Sequence, residues 1–127
     1  MPKYSYIQPG NSVRFAGRES DLEHFSAGGC GLTSLHPDTL YGMKRLRVLQ
    51  LWNNQISQLP DDFLRRAEQL EVVVLWGNLL STVNEHVFAG LWKLRRLDLD
   101  SNRISHVSEH AFRHLANLQV LYLSKIG

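Results

Sequence analysis

The feature that most constrains this chain is a repeat with a fixed step. Leu46, Leu70, Leu94 and Leu118 lie 24 residues apart, and they open the similar runs LRVLQLWNNQI, LEVVVLWGNLL, LRRLDLDSNRI and LQVLYL. A regular period of about 20–50 residues is the signature of a solenoid, in which each repeat forms one structural unit. Because one unit cannot bury its apolar side alone, the units must stack and share a core.

The apolar spacing inside each unit predicts the course of its backbone. Leu49 and Leu51 are two positions apart, which predicts a short strand with one face in the core. Leu64 and Ala67 are three positions apart, which predicts a short helical or 3₁₀ turn on the return path. We therefore expect an α/β solenoid with a curved parallel β-sheet on its concave face. Short helical, 3₁₀ or irregular segments should form its convex face.

The repeat also predicts the organisation of the 127 residues. We expect an N-terminal arm at 1–21 and a repeat domain at 22–127, with units at 22–45, 46–69, 70–93 and 94–117 and a partial unit at 118–127. Prolines and a glycine among polar residues predict that residues 1–12 form a mobile arm. Residues 13–15 alternate between apolar and polar, which predicts a short strand that covers the exposed edge of the first coil.

One polar offset is expected to carry a structural ladder. Asn54, Asn78 and Asn102 share this offset, and Cys30 occupies it in the first unit as a buried structural thiol. The chain turns into the core here, so its backbone groups lack strand partners. A buried Asn amide can donate and accept hydrogen bonds, and we expect it to bond to this turn and to the next coil. A bare buried group would cost about 1–3 kcal/mol.

The residues between the buried strand positions should face the concave side. The candidate partner-binding residues are Val48, Gln50, Trp52, Val72, Val74, Trp76, Arg96, Asp98, Asp100, Val120 and Tyr122. Trp52 and Trp76 share an offset, so they should lie side by side. An exposed apolar patch with aromatic residues and a charged rim is typical of protein interfaces. The alternative is that the two tryptophans only pack against each other, as cross-strand pairs do.

No other pattern predicts chemistry. The chain has no GxSxG, HExxH or glycine-rich phosphate loop, so we expect neither an enzyme nor a cofactor. His86 and His110 share an offset, and His110 and His114 have the spacing of two ligands on a helix. No Cys, Asp or Glu clearly converges with them, so we expect solvated histidines and no metal site.

Charges of opposite sign alternate from coil to coil. Arg47 and Arg95 are separated by Glu71 at the same offset, and the net charge of the chain is only +2. A nucleic-acid-binding stripe would keep one sign. We therefore expect ion pairs between coils and no nucleic-acid partner.

The unit pattern L-x-x-L-x-L-x-x-N-x-L-x-x-L, followed by a phenylalanine and a leucine, resembles the leucine-rich repeat family in its 24-residue "typical" form. The runs LxLWNNQI, LWGN and AFxxLxNL are similar to those of arthropod secreted or Toll-related repeat proteins. The resemblance implies a protein–protein recognition module that binds a partner protein on its concave sheet. It further implies that the module is part of an extracellular receptor, an adhesion protein or an innate-immune protein.

The sequence leaves the compartment open between two settings. The cysteine-rich caps usual in the family are missing and Ile126 stands where a fifth Asn belongs, so the resemblance implies a fragment of a secreted or cell-surface protein. Against this, the single cysteine and the lack of a signal peptide fit a cytoplasmic scaffold or adaptor. No apolar run is long enough for membrane insertion. The apolar Leu121 and Leu123 predict association through an uncapped C-terminal edge.

Overall fold

The computed structural model describes residues 6–8, 12–14 and 21–124, the first two ranges as strand backbone. We number the coils one to five after the predicted units. The strands are β1 (Tyr6–Gln8), β2 (Ser12–Arg14), β3 (His24–Ser26), β4 (Ser34–Leu35), β5 (Val48–Gln50), β6 (Val72–Val74), β7 (Thr82–Val83), β8 (Arg96–Asp98), β9 (His106–Val107) and β10 (Val120–Tyr122). A 3₁₀ helix, η1, spans Leu64–Arg66.

The main sheet takes one strand from each coil. Its order is β3-β5-β6-β8-β10, and neighbouring strands are parallel. Leu49 is in register with Phe25 on one side and with Val73 on the other. Residues of equal offset are therefore neighbours across the sheet, which confirms the predicted parallel solenoid.

The core runs along the inner side of this sheet. The central residues of β3, β5, β6 and β8 are buried, and the apolar residues at the repeated offsets of coils two and three are buried as well. In coil four, Val107 and Phe112 are only partly buried, although Phe112 stacks on Phe88 with ring centroids 6.1 Å apart. The reason is that each coil is covered by the one after it. Among the described residues, only the start of coil five follows coil four.

The return path is irregular, with short ordered pieces. η1 confirms the 3₁₀ turn predicted at Leu64. β7 and β9 pair in parallel on the return side of coils three and four. The Ser108 N–H in coil four donates to the Val83 carbonyl at 2.8 Å. Pro60 holds the Ser108 offset in coil two and has no N–H to donate, which accounts for the missing strand there.

The N-terminal strands lie on the return side of coil one. β2 runs antiparallel to β1 and parallel to β4. β2 overlaps the strand predicted at 13–15 and pairs with coil one through β4. Residue 15 lies outside the described residues. Without β2, this side of β4 would be an unpaired backbone edge. The mobile arm predicted at 1–12 falls mostly outside the described residues, and its part at Tyr6–Gln8 is strand β1. The division into arm and repeat domain stays a prediction.

Ion pairs follow the edge where the strands begin. Arg47 pairs with Glu23 at 3.0 Å and with Glu71 at 3.3 Å, and Arg95 pairs with Glu71 at 3.2 Å. These contacts confirm the ion pairs predicted between coils. Because the groups are largely exposed, each pair is worth only about 0–1 kcal/mol. The alternating signs also cancel one another, so this edge offers no continuous positive stripe.

The last strand supports one prediction about association. β10 pairs with β8, and within the described chain its other edge has no strand partner. Leu121 is 38% exposed there. We expect the 127-residue chain to self-associate through this edge, seen as a mass that rises with concentration in light scattering. Leu121→Lys should restore the monomer, whereas Tyr41→Lys, at another exposed apolar residue, should not. A wild-type monomer at every concentration would contradict the association.

Candidate functional site on the concave sheet

The face of the main sheet that points away from the core carries three columns of side chains. From coil two to coil five, the first column is Val48, Val72, Arg96 and Val120; the second is Gln50, Val74, Asp98 and Tyr122; the third is Trp52, Trp76, Asp100 and Ser124. The parallel register places each member beside the one from the next coil. All the candidate binding residues therefore lie on one continuous surface, which we call the concave face.

A tryptophan stack dominates the third column. The rings of Trp52 and Trp76 are stacked with centroids 5.3 Å apart and planes 7° apart. A Cβ added at Gly28 would overlap the Trp52 indole, so Trp52 lies over coil one. Trp52 is half-buried, whereas Trp76 is 37% exposed. The two tryptophans do pack on each other, and the outer indole remains accessible to a ligand.

Val74 is a poorer binding candidate than the sequence predicted. It lies in the second column, but it is only 9% exposed. Its register partners are Gln50 in β5 and Asp98 in β8, and both have longer side chains. A short side chain between two longer ones offers little surface. Gln50, Val48 and Val72 are half-buried and can still be contacted.

The charged part of the concave face is held by its own contacts. The Arg96 guanidinium lies over the Tyr122 ring, 5.1 Å from the centroid. An Asp98 carboxylate oxygen accepts the Asp100 N–H at 3.1 Å, and an Asp100 carboxylate oxygen accepts the Ser124 N–H at 2.8 Å. Within the described part of the chain, neither aspartate forms an ion pair. Both carboxylates therefore remain available to a cationic group of a ligand.

The asparagine ladder supports the turns behind the third column. The Asn78 side-chain oxygen accepts the Ile56 N–H at 3.1 Å, and its amide nitrogen donates to the carbonyls of Leu51 and Leu75 at 3.0 Å each. Asn54 and Asn102 make equivalent bonds. The prediction that each amide reaches the next coil was wrong, because the bonds run to the preceding coil. The turn of each coil directs backbone N–H and carbonyl groups toward the following coil, whose asparagine side chain bonds to them.

Cys30 departs from the predicted burial. It is half-buried, and its thiol donates to the Gly28 carbonyl at 3.5 Å. Its backbone N–H donates to the Asn54 side chain at 3.0 Å, so the ladder still includes this residue. Asn54 lies on one side of Cys30, and among the described residues no earlier coil covers the other side, which explains the greater exposure.

Sequence reasoning missed two features of this surface and its surroundings. Gly28 leaves the space that the Trp52 indole occupies, and the signal was a glycine at the offset of both tryptophans. A groove of about 260 Å³ lies between the return segments of coils two and three, beside Leu59, Pro60 and Phe88. The sequence feature that could have indicated this groove is Pro60, which prevents a return-side strand in coil two.

The described residues show neither a metal centre nor a membrane span. No three Cys, His, Asp or Glu side chains in this part of the chain come together in a group that could hold a metal ion. A search of the same residues finds no helix with the length and apolar character needed to cross a bilayer.

Comparison with known proteins decides the family. Two family models, both described as leucine-rich repeat, match residues 68–125 and residues 45–66. The chain belongs to the leucine-rich repeat family. This result agrees with the 24-residue register of the main sheet, in which each repeat contributes one strand.

A Toll-like receptor has a similar structure. In the crystal structure of the TLR13–ssRNA13 complex, the matching region has a TM-score of 0.75 and 29% sequence identity to this leucine-rich repeat chain. The match covers 80% of this chain and 14% of the TLR13 chain. No curated protein matches the sequence at a significant level. The resemblance to Toll-related proteins is confirmed, while the arthropod likeness and the fragment hypothesis stay predictions.

Proposed function

We propose that this leucine-rich repeat chain is a protein-recognition module that binds a partner protein on its concave face. The observation that carries the proposal is the Trp52–Trp76 stack, whose outer indole is open to solvent. Tryptophan is among the residues most enriched at the energetic centres of protein interfaces. Half-buried Val48 and Val72 extend the apolar area next to the stack, and the aspartates supply a polar rim.

A protein partner fits this face better than a nucleic acid does. TLR13 is in complex with an RNA in the similar structure, so RNA is the natural competitor. Nucleic-acid affinity depends on Lys and Arg side chains that neutralise phosphates. In the three columns, Arg96 is the one such side chain, and its guanidinium is engaged with Tyr122. Asp98 and Asp100 would repel a phosphate backbone.

The biological setting belongs to the same proposal. The likeness to TLR13 supports a module of an extracellular receptor, adhesion protein or innate-immune protein. The chain spans 14% of the length of the TLR13 chain, so it would be one part of such a protein. Catalysis is not included, since proteins of this family and fold are typically non-enzymatic.

Replacing both stacked tryptophans should abolish partner binding while preserving the fold. In Trp52→Ser with Trp76→Ser, the lost stacking should lower the free energy of unfolding by only about 0.5–1.5 kcal/mol beyond the lost area burial. Binding should fall by about 100-fold or more, since interface anchors of this kind are each worth about 2 kcal/mol or more. The measurement is binding to an array of secreted and cell-surface proteins, with circular dichroism as the check of folding.

Trp92→Ser is the matched control, because Trp92 is 53% exposed and lies outside the main sheet. It should leave partner binding unchanged. Two results would contradict the proposal. One is loss of the fold in the double variant, which would make the stack structural. The other is loss of binding in the Trp92 variant alone.

A further inference from the structure

The outer face of the tryptophan stack borders the aspartates of coil four. Trp52 lies over Gly28 of coil one, and Trp76 stacks almost parallel on it, so both indoles lean toward the N-terminal coils. The next residue in the third column is Asp100, one coil further on. Neighbouring strands of a sheet are about 4.8 Å apart. The free indole face of Trp76 and the Asp100 carboxylate therefore flank the same space.

The two carboxylates at this space are fixed in place and still able to accept hydrogen bonds. Asp98 and Asp100 each use one oxygen to accept a backbone N–H. Their second oxygens have no hydrogen-bond partner in the described part of the chain. Acceptors that are already held lose little conformational freedom when a donor binds. The site is therefore preorganised for a hydrogen-bond donor.

No cation of the described residues forms an ion pair with these carboxylates. Arg96 is on the same strand as Asp98, but its guanidinium lies 5.1 Å from the centroid of the Tyr122 ring. Arg47 and Arg95 are held by Glu71 at the edge where the strands begin. The space beside Trp76 thus combines an open aromatic face with two carboxylates that form no ion pair. A positively charged group complements both features.

We propose that Trp76, Asp98 and Asp100 form a site for an arginine or lysine side chain of a partner protein. The proposal rests on partner binding at the concave face and specifies its chemistry. A guanidinium stacks on an indole face through a cation–π interaction, and Trp is the best ring for it. The carboxylates accept the charge-assisted N–H bonds. An anionic partner would meet repulsion from the same aspartates.

Random-peptide selection tests this site without a known partner. Short random peptides displayed on phage are selected on the immobilised 127-residue chain. We expect the selected peptides to share a basic residue at a fixed position, and its replacement by glutamine should weaken binding by about tenfold. Asp98→Asn with Asp100→Asn should weaken binding by a similar factor, because the amide keeps the backbone bond and removes the charge. Raised salt should weaken wild-type binding as well.

The control variant removes two acidic charges elsewhere. Asp61→Asn with Glu109→Gln changes exposed residues outside the main sheet, and it should leave peptide binding unchanged. Peptides without a basic residue that still need the tryptophan stack would overturn the cation site and leave the proposed function standing. Peptides insensitive to every concave-face variant would overturn both.

Binding of RNA is a separate test, because it distinguishes a nucleic-acid site from a site for a basic side chain. A single-stranded oligouridine should not bind the chain at physiological salt, and the Asp98 and Asp100 amide variant should not bind it much better than the wild type does. If the oligonucleotide binds the wild type more tightly than the selected peptides do, and the tryptophan double variant abolishes that binding, the concave face is a nucleic-acid site. That result would overturn the basic-side-chain site.

Discussion

Asn78→Ala is expected to lower the free energy of unfolding by about 3 kcal/mol or more. The Asn78 amide accepts the Ile56 N–H and donates to the carbonyls of Leu51 and Leu75, all inside the core. Alanine leaves the Ile56 N–H without a partner, at about 1–3 kcal/mol, and removes two further hydrogen bonds at about 0.5–1.5 kcal/mol each. The Leu51 carbonyl still accepts from Asn54, and the Leu75 carbonyl still accepts from Asn102. Since a domain is typically stable by about 5–15 kcal/mol, the loss is a large share of the total. Urea unfolding measures it directly.

Asn117→Ala is the matched control for the ladder. Asn117 is exposed and donates one hydrogen bond, to the Trp92 carbonyl at 2.6 Å. Water can replace that partner, so the cost should stay below about 1 kcal/mol. Equal destabilisation by the two variants would mean that the ladder bonds add nothing beyond an ordinary surface contact.

Leu97→Ala should cost far more than Leu121→Ala, although both residues hold the same offset. Leu97 is 0% exposed between coils three and five, whereas Leu121 is 38% exposed in the last strand. Truncating a buried leucine removes about 2.7–5 kcal/mol, because the lost transfer free energy is joined by a cavity term. At Leu121 no closed cavity can form on the open side, so we expect about 1 kcal/mol. Unfolding in urea compares the pair.

This comparison isolates the effect of stacking, since residue type, offset and substitution are identical. The self-association expected through β10 would partly bury Leu121, so both variants should be measured at a concentration where the chain is monomeric. A similar cost at both positions would show that a following coil contributes little to burial at the preceding strand.

The repeat pattern alone was enough to predict the main sheet and most of the core. A fixed 24-residue step means that a strand assigned in one coil is assigned in all of them. Leu49, Val73 and Leu97 are buried because the same offset meets the same environment in each coil. Positions such as Val107 and Phe112 are more exposed than this rule implies, since periodicity does not account for the end of a stack.

The sequence predicts which residues lie on the concave face, but it does not predict their orientations or contacts. An offset determines which face a side chain is on, while its tilt depends on its neighbours in the adjacent coils. Gly28 lets Trp52 lean over coil one, and the Arg96 guanidinium lies over the Tyr122 ring without forming an ion pair with Asp98. Val74 is shielded by the longer side chains of its register partners. None of these contacts follows from one repeat read by itself.

Hydroxyl-radical footprinting of the chain, free and bound to a selected peptide or partner protein, tests partner binding at the concave face most directly. The radicals oxidise accessible indoles, and mass spectrometry reports each tryptophan separately. We expect Trp76 to be strongly protected in the complex, Trp52 to be protected to a smaller extent because it is half-buried from the start, and Trp92 to be oxidised as in the free chain. Protection of Trp92 with no change at Trp76 would place the partner elsewhere and contradict binding at the concave face.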